Sequence, residues 1–286
     1  MSKEFEDLRL VARTRDVSPP LLEIFVGELV VISMSELFRG IKRRIIREYE
    51  RKRFLSRLFG FCRNAEFVIG KREPWKGEDP WSDKDVKAVE DTISNFSKTF
   101  SKMPEPREEE KAPSFEPKWN VISIGGPIAN TFTRMVMKVE KPDDRSWLPF
   151  SFNLQPSPEC QGEDYPGLQR QIKPAPNWSI MRSETGEELY IPEYYEKDEI
   201  GVCRRDYGMI IKVKSQIKEA PPGRKNLVLA GCHGFGTIAA ARALGDEEIL
   251  NRIWEDVKDR DFQAIIMCEV NEDEPDYVEL LEVVQL

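Results

Sequence analysis

The chain has one histidine and five cysteines among its 286 residues, and neither set has the spacing of a metal site or a disulfide framework. Cys62, Cys160, Cys203, Cys232 and Cys268 are odd in number, scattered, and contain no C-x-x-C pair. That pattern fits reduced thiols in a cytosol better than a zinc knuckle or a disulfide framework. With His233 as the lone histidine, no separate Cys–His–acid triad can be assembled within one subunit. Long uncharged apolar runs are also missing. Leu21 to Phe38 comes nearest, but Glu23, Glu28 and Glu36 interrupt it. A carboxylate at the bilayer centre costs about 3 kcal/mol, so a helix packing on its own domain or on a partner is expected there, not a span. The first residues, Met1 to Asp7, are too acidic and polar for a signal peptide, and a cytoplasmic location is expected.

What is present is a globular composition, 40% hydrophobic and 33% charged, with a formal net charge of −8. That balance excludes a disordered chain and a surface that coats nucleic acid throughout. Abundant Arg, Lys and Glu would suit a thermophile. The charge is unevenly spread. Arg39 to Arg57 carries nine Lys/Arg against Glu48 and Glu50, a local +7 on a body of −15. Such a segment points to a protein partner or an anionic surface, or else to a solvated face paired with the acidic body. A homo- or hetero-oligomer is expected.

Periodicity divides the chain. Ser18 and Pro19 open a helical stretch, Gly40 breaks it, and residues 41–59 follow as an amphipathic basic helix. Ser82 and Asp85 form a capping box ahead of Val86, Val89, Ile93, Phe96 and Phe100, which recur at helical spacing. Residues 1–103 therefore read as a helical N-terminal region, and residues 104–117, rich in Pro, Glu and Lys, as a linker. Residues 118–286 then read as a Rossmann-like three-layer α/β domain with a mixed sheet. Its expected strands are Trp119–Ile124, Leu189–Tyr194, Tyr207–Val213 and Asn226–Ala230, closed by an antiparallel pair, Phe262–Val270 and Tyr277–Leu286. Residues 142–176 hold seven prolines and little periodicity, and are expected to be a functional insert or lid.

Two glycine-rich turns carry the candidate site. Asn226–Ala230 leads through Gly231, Cys232, His233, Gly234, Phe235, Gly236 and Thr237 into an Ala-rich helix. This unit presents free N–H groups at a helix N-terminus and favours an anion such as a phosphate. Gly125, Gly126 and Asn130 form a second unit of this kind after the strand at 119–124. If the two strands are neighbours at a switch in strand order, both helix N-termini face one crevice. Asn130 could then read a base or ribose, and Thr237 a phosphate. The alternative is that the glycines serve geometry alone and that Asn130 and Thr237 are caps. The order G-x-x-G-x-G is not the dinucleotide fingerprint, and no Lys-Ser/Thr pair makes a P-loop. Asp206, Tyr207 and Gly208 open a strand, with Gly208 marking a bulge or a close approach. Ala230-Gly231-Cys232-His233-Gly234 fits a nucleophile elbow, which makes Cys232 a candidate nucleophile; a buried, inert thiol is the rival.

The motifs Ile124-Gly125-Gly126-Pro127-x-x-Asn130, Asp206-Tyr207-Gly208-x-Ile210 and Ala230-Gly231-x-His233-Gly234-x-Gly236-Thr237 together resemble a loosely defined group of uncharacterised prokaryotic proteins. In that group a Rossmann-like C-terminal domain follows a variable helical or membrane-proximal region. The resemblance covers roughly residues 120–286 and implies a fold and a ligand crevice, but no established activity. The reading from sequence is thus a non-catalytic sensor or regulatory protein, binding a nucleotide or phosphorylated small molecule through Gly125, Gly126, Asn130, Asp206, Tyr207, Gly231, His233, Gly234, Gly236 and Thr237. The alternatives are a structural subunit acting through its N-terminal helices, and a hydrolase or transferase using Cys232.

Overall fold

The computed structural model describes residues 41–43, 45–69, 83–100, 106–108, 120–127, 130–139, 144–153, 179–197, 200–215 and 222–286. The chain forms two units, Met1–Glu50 and Arg51–Leu286. In the first, residues 41–43 and 45–50 are helical. The expected apolar helix Leu21–Phe38 and the capping residue Ser82 lie outside the described residues.

The second unit opens with helical residues 51–59, here α1, and a 3-10 turn, Gly60–Asn64. The elements that follow are β1 (Ala65–Ile69), α2 (Asp83–Ser97), β2 (Pro106–Glu108), β3 (Asn120–Ile124), α3 (Thr131–Met137), β4 (Phe150–Asn153), β5 (Ser179–Arg182) and β6 (Glu188–Tyr190). Next come β7 (Glu193–Lys197), β8 (Ile200–Lys214), β9 (Lys225–Gly231), α4 (Gly234–Ala243), α5 (Glu247–Val257), β10 (Phe262–Asn271) and β11 (Glu274–Gln285). An eight-stranded mixed sheet runs β11-β10-β8-β9-β3-β1-β2, with β7 paired to β8. The strands β2, β1, β3 and β9 are parallel, and β8, β10 and β11 are joined antiparallel. This is a three-layer α/β fold. The expected closing pair of strands forms, joined by a tight turn in which Glu272 and Asp273 adopt positive φ.

Period-two alternation decides which residues face each layer. Ile122 and Ile124 of β3, Leu227 and Leu229 of β9, and Phe262, Ala264 and Ile266 of β10 pack with α1, α2, α4 and α5. Their neighbours Val121, Val228, Ala230 and Ile265 face the opposite layer, made of α3 and the small sheet β4-β5-β6. Because the central strands are buried on both faces, they read as continuous apolar runs in the sequence.

β1 and β2 belong to the main sheet and α2 packs on α4, so the stretch expected as a separate helical region supplies part of the α/β unit from Arg51 onward. The segment expected as a linker contains β2, a short edge strand. The section expected as a lid begins, in its described part, as core: Leu148, Phe150 and Phe152 are buried, and the Gln263 side chain bonds both backbone polar groups of Phe150. Prolines hid that strand, which is too short to show a period.

Lys212 is a buried cation in this core. Its ammonium donates to the Asp259 carbonyl at 3.1 Å and lies 5.3 Å from the Phe262 ring. Burial, reinforced by Lys225, brings its pKa down to about 8. An unfolded lysine titrates near about 10.4, so between these values the unfolded chain holds a proton that the folded chain has lost. This group's contribution to stability therefore rises with pH across that window. Lys212→Met is expected to be more stable than wild type near neutral pH, with the gain shrinking as pH climbs through the window. Urea unfolding across that range checks it, and a constant difference would contradict it.

Candidate functional site

The two glycine-rich turns sit side by side. β3 and β9 are hydrogen-bonded neighbours with Ile124 opposite Leu229, and the Gly125 N–H continues the pairing to the Leu229 carbonyl at 2.9 Å. The helices leave in opposite directions, α3 into one layer and α4 into the other. The strand order reverses at β1, with β2 on one side and β3 on the other. The carboxyl ends of these strands are where open α/β sheets place ligands.

At the second turn the helix donors already hold an anion, and it belongs to the protein. Asp206 is fully buried on β8, and its carboxylate accepts from Tyr207 N at 2.8 Å, from His233 N at 3.2 Å and from Gly236 N at 2.6 Å. His233 is the N-cap of α4 and makes no side-chain cap bond. Asp206 thus satisfies, from a neighbouring strand, two N–H groups that a capping side chain or a bound phosphate would otherwise take. Burial holds the Asp206 carboxyl above the ordinary carboxylate value, against a smaller opposing pull from His233 and the N–H donors. Gly208, Gly231 and Gly236 make the arrangement possible, because a Cβ on any of them would collide with backbone of the facing strand or helix. Thr237 donates to the His233 carbonyl at 3.4 Å, a bond within the first turn of the helix.

The first turn is filled in the same manner. Gly125 has φ of 109°, which favours glycine. Asn130 is buried and caps α3: its Oδ1 accepts from Thr133 N at 3.1 Å, and its Nδ2 donates to the Ile124 carbonyl at 2.9 Å and the Val68 carbonyl at 3.4 Å. One amide thereby ties the ends of β1 and β3 together. Thr133 Oγ1 donates to the Gly125 carbonyl and pairs with Ser123 Oγ, each at 2.9 Å. Gly126 accepts from Asn130 N at 2.9 Å.

Cys232 is buried, and burial together with nearby Asp206 raises its thiol far above the usual range, so the thiolate needed of a nucleophile is suppressed. The His233 ring bonds the Tyr194 hydroxyl on β7. Tyr207 is buried, with its ring centroid 5.5 Å from that of Tyr190, whose own hydroxyl donates to Glu282 and is pushed up to about 12, mainly by burial. Gly234 abuts Lys84 of α2, whose ammonium lies 3.4 Å from the Phe235 ring centroid. The structure therefore brings Asp206, Tyr207, Gly231, His233, Gly234, Gly236 and Thr237 into one cluster, and holds Gly125, Gly126 and Asn130 on the adjacent strand end. Among the described residues no group of three His, Cys, Asp or Glu side chains is placed to hold a metal ion. The sequence reading missed Tyr194 as the histidine's partner. It also missed the internal role of Asp206, which follows two arginines in the sequence and carries no local sign of a buried partner.

A comparison with protein families finds no match, and neither does a comparison with curated proteins. Among the described residues, no helix is long and apolar enough to cross a membrane.

Removing the Asp206 carboxylate leaves buried N–H groups unpaired. Asp206→Ala is expected to lose about 3 kcal/mol in urea unfolding. Gly236→Ala should be destabilised as well, by forcing α4 off β8. A loss near zero for Asp206→Ala would mean that water or the backbone replaces the carboxylate freely.

Proposed function

We propose that this protein is a non-catalytic binding module whose contact surface is the basic helix at residues 41–50. One observation carries the reading: Ile41, Ile45, Ile46 and Tyr49 are 46%, 64%, 46% and 68% exposed on a helix that also displays Lys42, Arg43 and Arg47. Isolated apolar residues on a surface mean little, but four within nine positions of one helix form a patch of the kind that marks interaction sites. The glycine turns support the reading indirectly, since the groups that would seize an anion at α4 are satisfied by Asp206. A photo-crosslinking residue placed at Ile45 in the full chain should yield an adduct in the cells that make the protein. The same residue at Tyr277, also exposed, on β11, should not. No adduct at position 45 would sink the proposal.

A second reading keeps the expectation of a nucleotide or phosphorylated small molecule. It is favoured by the adjacency of β3 and β9 with helices leaving to opposite layers. In this reading Gly125 and Gly126 supply the contacts, because Asp206 occupies the N–H groups of α4. Thermal unfolding against nucleotides, cyclic dinucleotides and sugar phosphates decides it. A ligand present at about 100 times its Kd adds about 2.7 kcal/mol and shifts the midpoint by degrees. If no compound in the panel shifts it, the second reading fails.

A further inference from the structure

We infer that the partner of the basic helix is an anionic lipid surface; the inference rests on the reading of residues 41–50 as the contact surface. At about 100° per residue, Ile41, Ile45, Tyr49 and Ile46 fall within an arc of about 140°. Arg43 and Arg47 lie beyond that arc on one flank, and Lys42 lies within it, on a stem long enough to lift its ammonium to a headgroup layer. All seven side chains are exposed, whereas Glu48 and Glu50 are partly buried. An apolar stripe with cations along one flank and one within it can lie in the plane of a membrane interface, with its isoleucines among acyl chains and its cations on headgroup phosphates.

Charge complementarity selects this occupant. Lys42, Arg43 and Arg47 are exposed beside the isoleucines on a chain whose net charge is −8, so an anionic bilayer attracts this helix through cations that the rest of the sequence does not supply in excess. A nucleic acid would use the cations but leave three exposed isoleucines without a role. An acidic protein partner would fit both features less well, because protein surfaces offer no continuous apolar layer beneath the charges.

The test uses the full-length protein and vesicles of phosphatidylglycerol and phosphatidylcholine in equal parts, beside vesicles of phosphatidylcholine alone. Co-sedimentation is expected with the first and not with the second, and it should weaken with added salt. Each cation contributes about a fivefold gain at such a surface, so Arg43→Glu with Arg47→Glu should weaken binding at least about tenfold. Ile41→Ser with Ile45→Ser should weaken it by a similar factor. Both pairs are exposed, so the thermal midpoint should stay unchanged and mark the variants as folded. Absence of binding to the anionic vesicles overturns the inference. So does binding that is lost on charge reversal but indifferent to the serine pair, which describes a polyanion site. If vesicles fail while the crosslinker at position 45 captures a protein or a nucleic acid, the contact surface stands and the lipid falls. If neither captures anything, both fall.

Discussion

A carboxylate buried at the foot of a helix is the constraint around which this site is built. Asp206 cannot be buried on β8 without donors, and the N-terminus of α4 cannot be buried without an acceptor. Each answers the other, provided that helix and strand approach more closely than side chains allow. That requirement explains glycine at 208, 231 and 236 together, and it draws His233 to the edge where Tyr194 meets it. The small residues Ala239, Ala240 and Ala241 then let α4 sit flat between the sheet and α2.

The same logic recurs one strand away with a neutral group. Asn130 closes the β3 turn by capping α3 while reaching the carbonyl oxygens that end β1 and β3. The turns therefore look like ligand cradles in sequence because the physical need is the same: an acceptor at a helix N-terminus, with glycines that bring the backbone close. Whether the acceptor comes from solution or from the chain is a matter of tertiary contact between residues that lie about thirty apart along the chain.

This sets what the sequence discloses. The strands of the sheet were legible wherever apolar runs were bounded by turn residues, as at Asn226–Ala230 and Phe262–Val270, and the stripe Val86–Phe96 gave α2. The three-layer α/β class followed from their alternation. The membership of β1 and β2 was not legible, because Ala65–Ile69 is five residues long and β2 only three, and a Pro-rich stretch surrounds the latter. The cluster at residues 231–237 was legible as a unit, and Asp206 and Tyr207 as associated with it. That Asp206 acts as the anion was not, since nothing local in Arg205-Asp206-Tyr207 states where the carboxylate points. The exposed face of residues 41–50 shows the opposite case. Its composition was plain, but only its exposure distinguishes a contact surface from one more buried stripe.

The most direct test of this account is chemical rescue of Asp206→Ala by formate, read as the thermal midpoint at fixed ionic strength with chloride as the reference. The internal-anion account predicts that formate restores part of the lost stability in the variant and leaves wild type unmoved, because the native carboxylate already occupies the site. An equal formate-dependent rise in both proteins would contradict it, for it would place an open anion site beside Asp206 and return the glycine turn to the role of a ligand cradle.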